Sequence, residues 1–171
     1  MLYERVFEEL ETLGIKYLVI GGIAVNLHGV ERPTGDLDIL LSFEKNNLKK
    51  FIFAMKTIGW IPRLPVTLED FSDPKKRERW KKEKGMKVFT LHNPKHPLEH
   101  MDVMTENYID FQKAYRNRKI VTARHILIPL ISIRDLMRLK KIAGRQRDKI
   151  DIIGLKQVKE FESEKEKKTR I

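Results

Sequence analysis

The sequence predicts an α/β fold, a single domain in which strands and helices are interspersed. Three observations predict it. Short apolar runs of strand length alternate with stretches whose apolar residues recur at helical spacing. No apolar run approaches the ~20 residues needed to cross a bilayer. The chain has 171 residues, 41% of them hydrophobic, enough for one full core and too few for two comfortable ones. No repeat, linker or low-complexity boundary divides it, so residues 1–171 are expected to form one domain.

Taken in order, Leu2, Val6, Phe7, Leu10 and Leu13 mark an amphipathic helix over residues 2–13, ended by Gly14. Tyr17 to Ile20 reads as a strand. Gly21-Gly22 then lets the backbone turn and approach a ligand closely. Ile23 to His28 fits a short helix whose free N–H groups would suit phosphate. After a turn at Arg32-Pro33-Thr34-Gly35 comes Asp36-Leu37-Asp38-Ile39-Leu40-Leu41, read as a second strand. Strand side chains alternate faces, so Asp36 and Asp38 are expected on one side and Leu37, Ile39 and Leu41 in the core. Two neighbouring carboxylates repel unless a cation or a proton sits between them, which makes the pair half of a divalent-metal site.

Residues 44–58 give a further helix, stopped by Gly59, and Trp60-Ile61 opens a short strand before Pro62. Leu68 to Lys84 lacks an apolar stripe and is expected as a surface helix or a mobile loop. Of the ten residues 75–84, seven are basic and two acidic. Lys75, Lys76, Arg77, Arg79, Trp80, Lys81 and Lys82 are therefore candidates for phosphate-backbone contact and base stacking, against a plain solvated insertion. Met86–Leu91 and Leu98–Met104 suggest a hairpin. Asp102 interrupts the apolar second arm, and an acid there is costly unless paired or metal-bound. It is the third candidate carboxylate, on a strand neighbouring the first pair. His92, His96 and His100 are spaced by four, but Pro94 and Pro97 forbid the helix that would gather them on zinc.

Residues 108–115 read as a short helix, and Ile120-Val121 and His125 to Ile131 as extended segments closing the sheet edge. Ser132-Ile133-Arg134-Asp135 resembles a capping box, opening a helix to Ile142. After Gly144 a last helix is expected from Gln146 to Phe161, with Ile150, Ile153, Val158 and Phe161 as its apolar residues. Residues 156–171 form a charged helix end or tail, fraying from about Glu160. Lys140, Arg145, Asp148 and Asp151 read as a surface ion-pair set on their own.

Cysteine is absent, which excludes disulfides, thiolate metal ligands and cysteine nucleophiles. The N-terminus is acidic and amphipathic, unlike a signal or transit peptide, so a cytoplasmic protein with no membrane partner is expected. The formal net charge is +11, with 35% of residues charged. That favours polyanionic partners, and together with the missing cysteine it suggests a thermostable chain. The P-loop pattern, HExxH, the GxSxG elbow and the dinucleotide fingerprint are absent.

Gly21-Gly22, His28-Gly29, Arg32-Pro33-Thr34-Gly35-Asp36-Leu37-Asp38-Ile39 and a later lone Asp102 resemble the nucleotidyltransferase superfamily with the DNA polymerase β-like fold. Within it, the AbiEii-type and related minimal nucleotidyltransferases are the nearer pattern. Residues 132–148, with Ser132, Asp135, Lys140, Arg145 and Asp148, resemble that group's last motif, so the likeness spans about residues 15–155. The resemblance implies a mixed sheet flanked by helices, with the three acids on adjacent strands. It implies transfer of a nucleoside monophosphate from an NTP such as ATP, with release of pyrophosphate. By the same resemblance Asp36, Asp38 and Asp102 are the catalytic residues and hold two Mg²⁺ ions, Asp102 also helping to take the proton of the attacking hydroxyl. Gly21, Gly22, Arg32, Thr34, Lys140 and Arg145 would bind the nucleotide. Many relatives carry Ser where Gly22 stands, and many are longer at the C-terminus. The implied acceptor is an RNA or tRNA end, or a protein hydroxyl in a toxin–antitoxin setting. The alternative is a non-catalytic nucleotide- or RNA-binding module, or an antitoxin-like interaction protein, on the same fold.

Overall fold

The computed structural model describes residues 3–169, with side chains to residue 165. Leu2 and the last two residues of the expected tail lie outside it. Tyr17–Ile20 (β1) runs antiparallel to Leu37–Leu41 (β2), with Ile20 opposite Asp38. On its other edge β2 pairs in parallel with His96–Met104 (β5), which returns from Val88–Asn93 (β4) through a tight hairpin. Ile61–Pro62 (β3) borders β4. Beyond β1 lies Ile126–Leu130 (β7), parallel to it, and then Lys119–Ala123 (β6). Among the described residues this is one seven-stranded mixed sheet in the order β3-β4-β5-β2-β1-β7-β6. Only β6 closes the edge on that side, since β7 is interior.

One face of the sheet rests on an aromatic core. Glu4–Thr12 (α1) places Phe7 against Tyr17. Lys45–Thr57 (α3) brings Phe51 to Phe71 of Leu68–Ser72 (α4), and Phe71 stacks on Phe89 of β4 at 4.8 Å between ring centroids. Pro74–Lys84 (α5) adds Trp80, parallel to Phe89 at 5.7 Å and almost wholly buried. The stretch expected as a surface helix or mobile loop is therefore two ordered helices. Thr67 caps α4 in a box with Asp70. Asp73 and Pro74 open α5, with the Lys75 N–H donating to the Asp73 carboxylate at 2.8 Å. Its apolar stripe is Leu68, Phe71 and Trp80, divided by that break.

The opposite face is covered on one half only. Gly21–Leu27 (α2) packs against β1, β2 and Ile133–Ala143 (α7), which in turn packs on Gln146–Thr169 (α8). β1 is therefore buried on both faces, and so is β2 except at Asp38. β4 and β5 instead alternate buried with half-exposed residues near Asp102, the pattern of a sheet with one face to water. Phe111–Arg116 (α6) bridges β5 and β6. Ser132 accepts the Asp135 N–H at 3.2 Å and starts α7, as the capping motif predicts.

α8 departs most from expectation. It continues to Thr169, well past Phe161, and it is turned around: Asp148, Asp151 and Leu155 are buried while Ile150, Ile153 and Phe161 are exposed.

Candidate active site

Asp38 and Asp102 are direct neighbours across the parallel β2–β5 pair. Strand alternation turns both to the half-covered face, with Thr90 from β4 opposite Asp102 and donating its hydroxyl to Asp102 Oδ1 at 2.6 Å. Asp36 precedes β2 and is exposed. Among the described residues no three His, Cys, Asp or Glu side chains close into a cage. Asp38 and Asp102 form the tight pair, and Asp36 stands at its entrance. Burial pushes the Asp38 carboxyl up to about 6 and the Asp102 charge adds to that, while the Gly22 N–H and Arg145 pull the other way. A carboxylate pair held this way has oxygen donors only, which suits a hard divalent cation. The donor set thus fits Mg²⁺.

The glycines shape this corner. Gly21 has φ +67°, and a side chain there would drive its Cβ into the Asp38 carboxyl. The two glycines are the first residues of α2 rather than a turn ahead of it, and the Gly22 N–H points at Asp38. A Cβ on Gly22 would collide with the Thr34 hydroxyl and reach within 3.2 Å of Arg32 Cζ. Glycine at 22, where the resembled pattern often has Ser, thus has a local reason: Thr34 Oγ1 already fills the space.

Facing the acids is a layer of cations. Lys140 is buried, its Nζ 2.6 Å from Asp151 Oδ2 and 3.4 Å from Asp148 Oδ1. The same Asp151 oxygen takes Arg32 Nη1 at 2.6 Å, and Asp148 Oδ2 takes Arg145 Nε at 3.1 Å. Asn26 fixes the Arg32 backbone by a reciprocal pair of 3.0 Å bonds. Two buried carboxylates therefore hold three cations, of which Lys140 is buried, Arg32 half-buried and Arg145 exposed. Between the layers lies an open cleft of about 660 Å³, bordered on one side by Asp36, Asp38 and Asp102 and on the other by Arg32, Lys140 and Arg145.

Gly21, Gly22, Arg32, Thr34, Asp36, Asp38, Asp102, Lys140 and Arg145 thus converge on one cleft. The basic segment does not join them. Phe89 points away from Thr90 on the same strand, so Trp80, stacked on Phe89, lies behind the sheet. Trp80 is core and offers no face to a base. Arg77 is buried too, its guanidinium 4.3 Å from the centre of the Phe43 ring and its Nη1 2.5 Å from the Phe71 carbonyl oxygen. Lys76 pairs with Asp70, Lys81 with Glu106 and Glu78, and Lys82 with Glu78. Lys75, Arg79 and Lys82 stay exposed on α5, on the side away from the cleft. His28 is also outside it, tying the end of α2 to the Ile131 carbonyl at 2.8 Å. Sequence reading missed Asp151 as the hub of the cation layer, although its spacing of three from Asp148 would place both on one helix face.

The fold is of the nucleotidyltransferase class. No family model matches the chain, and no curated protein sequence matches it. Solved structures do. The lincosamide antibiotic adenylyltransferase LnuA, bound to lincomycin, is 17% identical with a TM-score of 0.56, over 90% of this chain and 93% of that one. A Thermotoga maritima protein assigned to the nucleotidyltransferases is 15% identical with a TM-score of 0.55, over 96% of each chain. ANT(2")-Ia, in complex with adenylyl-2"-tobramycin, is 10% identical with a TM-score of 0.53, over 91% of this chain and 89% of that one. At these identities the likeness is one of fold.

Proposed function

We propose that the protein is a Mg²⁺-dependent nucleotidyltransferase that moves a nucleoside monophosphate from an NTP to a hydroxyl acceptor. The observation that carries this is the two-sided cleft, with Asp38 and Asp102 in register on one wall and three cations on the other. A Mg²⁺–triphosphate has the complementary pattern of charge. Asp36, Asp38 and Asp102 would hold the ions. When bound, Mg²⁺ supplies charge neutralisation to the attacking and leaving oxygens of an in-line displacement.

The rest falls to this chain's residues. Arg32, Lys140 and Arg145 face the triphosphate, and their carboxylate partners on α8 keep them aimed at it. Thr34 beside Gly22 contributes a hydroxyl. Asp102, steadied by Thr90, sits where it can take the acceptor's proton as the oxygen bonds to the α-phosphorus and the bond to pyrophosphate breaks. A compact cationic acceptor such as an aminoglycoside fits least, because a cation seeks an acidic pocket. An RNA end fits the charge of +11; a protein hydroxyl in a toxin–antitoxin pair is the rival.

The test is incubation of the pure protein with each α-labelled NTP, Mg²⁺ and either total RNA or cell lysate, beside Asp38→Asn. Label in a macromolecule with the wild type and a loss of about a thousandfold or more in the variant is expected, since charge stabilisation of this kind is worth several kcal/mol. Absence of transfer from every NTP by protein that binds Mg²⁺–NTP would favour the non-catalytic binding module.

A further inference from the structure

One surface next to Asp102 is unused by the transfer described above. β5 runs past the start of β2, since Leu37 at the head of β2 pairs with Met101, so residues 96–100 overhang the cleft. On the Asp102 face of this overhang His92 and His100 are cross-strand partners with ring centroids 6.5 Å apart. Ile61 extends the same face onto β3, opposite His92, and the neighbouring Arg63 N–H donates to the Thr90 carbonyl at 3.0 Å. Ile61 and Arg63 are exposed, while His92, His100 and Thr90 are half-exposed. Nδ1 of each of the two histidines is shielded from water and has no hydrogen-bond partner. These nitrogens face the protein, so what the shelf offers to solvent is the remaining part of each half-exposed ring.

We propose that this shelf docks the 3′-terminal nucleotide of a single-stranded RNA acceptor, its base against His92 and His100 and its terminal hydroxyl at Asp102. The inference rests on the nucleotidyl-transfer reading. Imidazole rings on an open sheet face serve as stacking surfaces for unpaired bases. His100 is two residues before Asp102 on a straight strand, about 7 Å away, so a ring on the histidines leaves the attached ribose beside the carboxylate. Arg63 supplies a cation at the rim for the next phosphate. A peptide acceptor would instead add a strand to the sheet edge. That edge is the two-residue β3, in which Pro62 has no N–H to donate.

The experiment measures fluorescence anisotropy of a short 5′-fluorescein single-stranded RNA with a free 3′-hydroxyl, and in parallel Mg²⁺–ATP binding by calorimetry. His92→Ala/His100→Ala should weaken RNA binding by about five- to a hundredfold, the range for loss of base stacking. Its nucleotide binding should stay at the wild-type level, which also reports an intact fold. His92→Tyr/His100→Tyr should restore the RNA affinity. Unchanged RNA affinity in the alanine pair, no rescue by tyrosine, or a larger loss in Lys75→Ala/Arg79→Ala/Lys82→Ala would overturn the proposal. Failure of the wild type to bind ATP with Mg²⁺ would instead sink the transfer reading, and the RNA arm reads the shelf whichever way that result falls.

Discussion

The two halves of the sheet differ in what lies over them. Around β1 and β2 both faces are covered, and the polar groups there are joined in one network of carboxylates and cations. Around β3, β4 and β5 a single face is covered, and the other presents Thr90, His92, His100 and Asp102 to solvent. The carboxylate pair sits on the boundary, Asp38 on the covered side and Asp102 on the open side. On the proposed function, the covered half is a rigid wall for the nucleotide and the open half leaves the approach of the acceptor clear. Stability is expected to reside in the first half and in the core beneath the second, and selectivity on the open face.

The largest test of this division is Asp151→Ala. It strips the shared partner from Arg32 and Lys140 while their charges stay out of water, and breaking a buried pair from one side costs about 3–5 kcal/mol. Urea denaturation should show that loss; a change below about 1 kcal/mol would mean that the cations find water and that this half is not sealed. Trp80→Ala should cost a similar amount, about 3–5 kcal/mol by loss of core volume, with nucleotide affinity retained. Val88→Ala, on the half-exposed face of the strand that bears Phe89, should cost under about 1 kcal/mol. Equal costs for those two would erase the distinction between the faces. Gly22→Ser should destabilise by about 1–3 kcal/mol, the usual cost of overpacking, and Gly22→Ser/Thr34→Ala should recover most of it by reopening the space.

The smallest effect concerns pH. Burial holds the His28 imidazole below its usual 6.5, so the folded protein keeps it neutral where the unfolded chain takes a proton. Its contribution is therefore complete above pH 6.5 and declines as pH falls from there through the depressed folded value. Melting curves of wild type and His28→Gln should diverge in slope over that interval and run parallel above it. Identical slopes would show that His28 is protonated in the fold at no cost.

Much of this arrangement was legible in the chain. Tyr17–Ile20 is a strand by its apolar run alone, and the cost of an acid among Met101, Val103 and Met104 was enough to single out Asp102. Its strand was expected beside the one that carries Asp38, while the register that pairs the two residues is seen only in the structure. What escaped reading depended on partners distant in sequence. Trp80 stands among lysines, and only Phe89 on another element makes it core. Asp151 looked like a solvated charge because Arg32, more than a hundred residues earlier, is one of its two partners, the other being the buried Lys140 that it shares with Asp148. The same network inverted α8, so that Ile150, Ile153 and Phe161, its apparent apolar stripe, face outward. The mixed charges after Glu160 read as fraying, yet such residues are good helix formers and the helix runs on.

The contact of Gly21 with the Asp38 carboxyl also bears on how this chain can change over generations. Position 21 is fixed twice over: its backbone lies in the left-handed region, and a Cβ there would meet not only the Asp38 carboxyl but also Asp38 Cβ, at 2.7 Å. Shortening Asp38 to alanine would leave both the strain and that clash. Glycine at 21 is therefore expected in every descendant that keeps this fold, with or without the carboxylate.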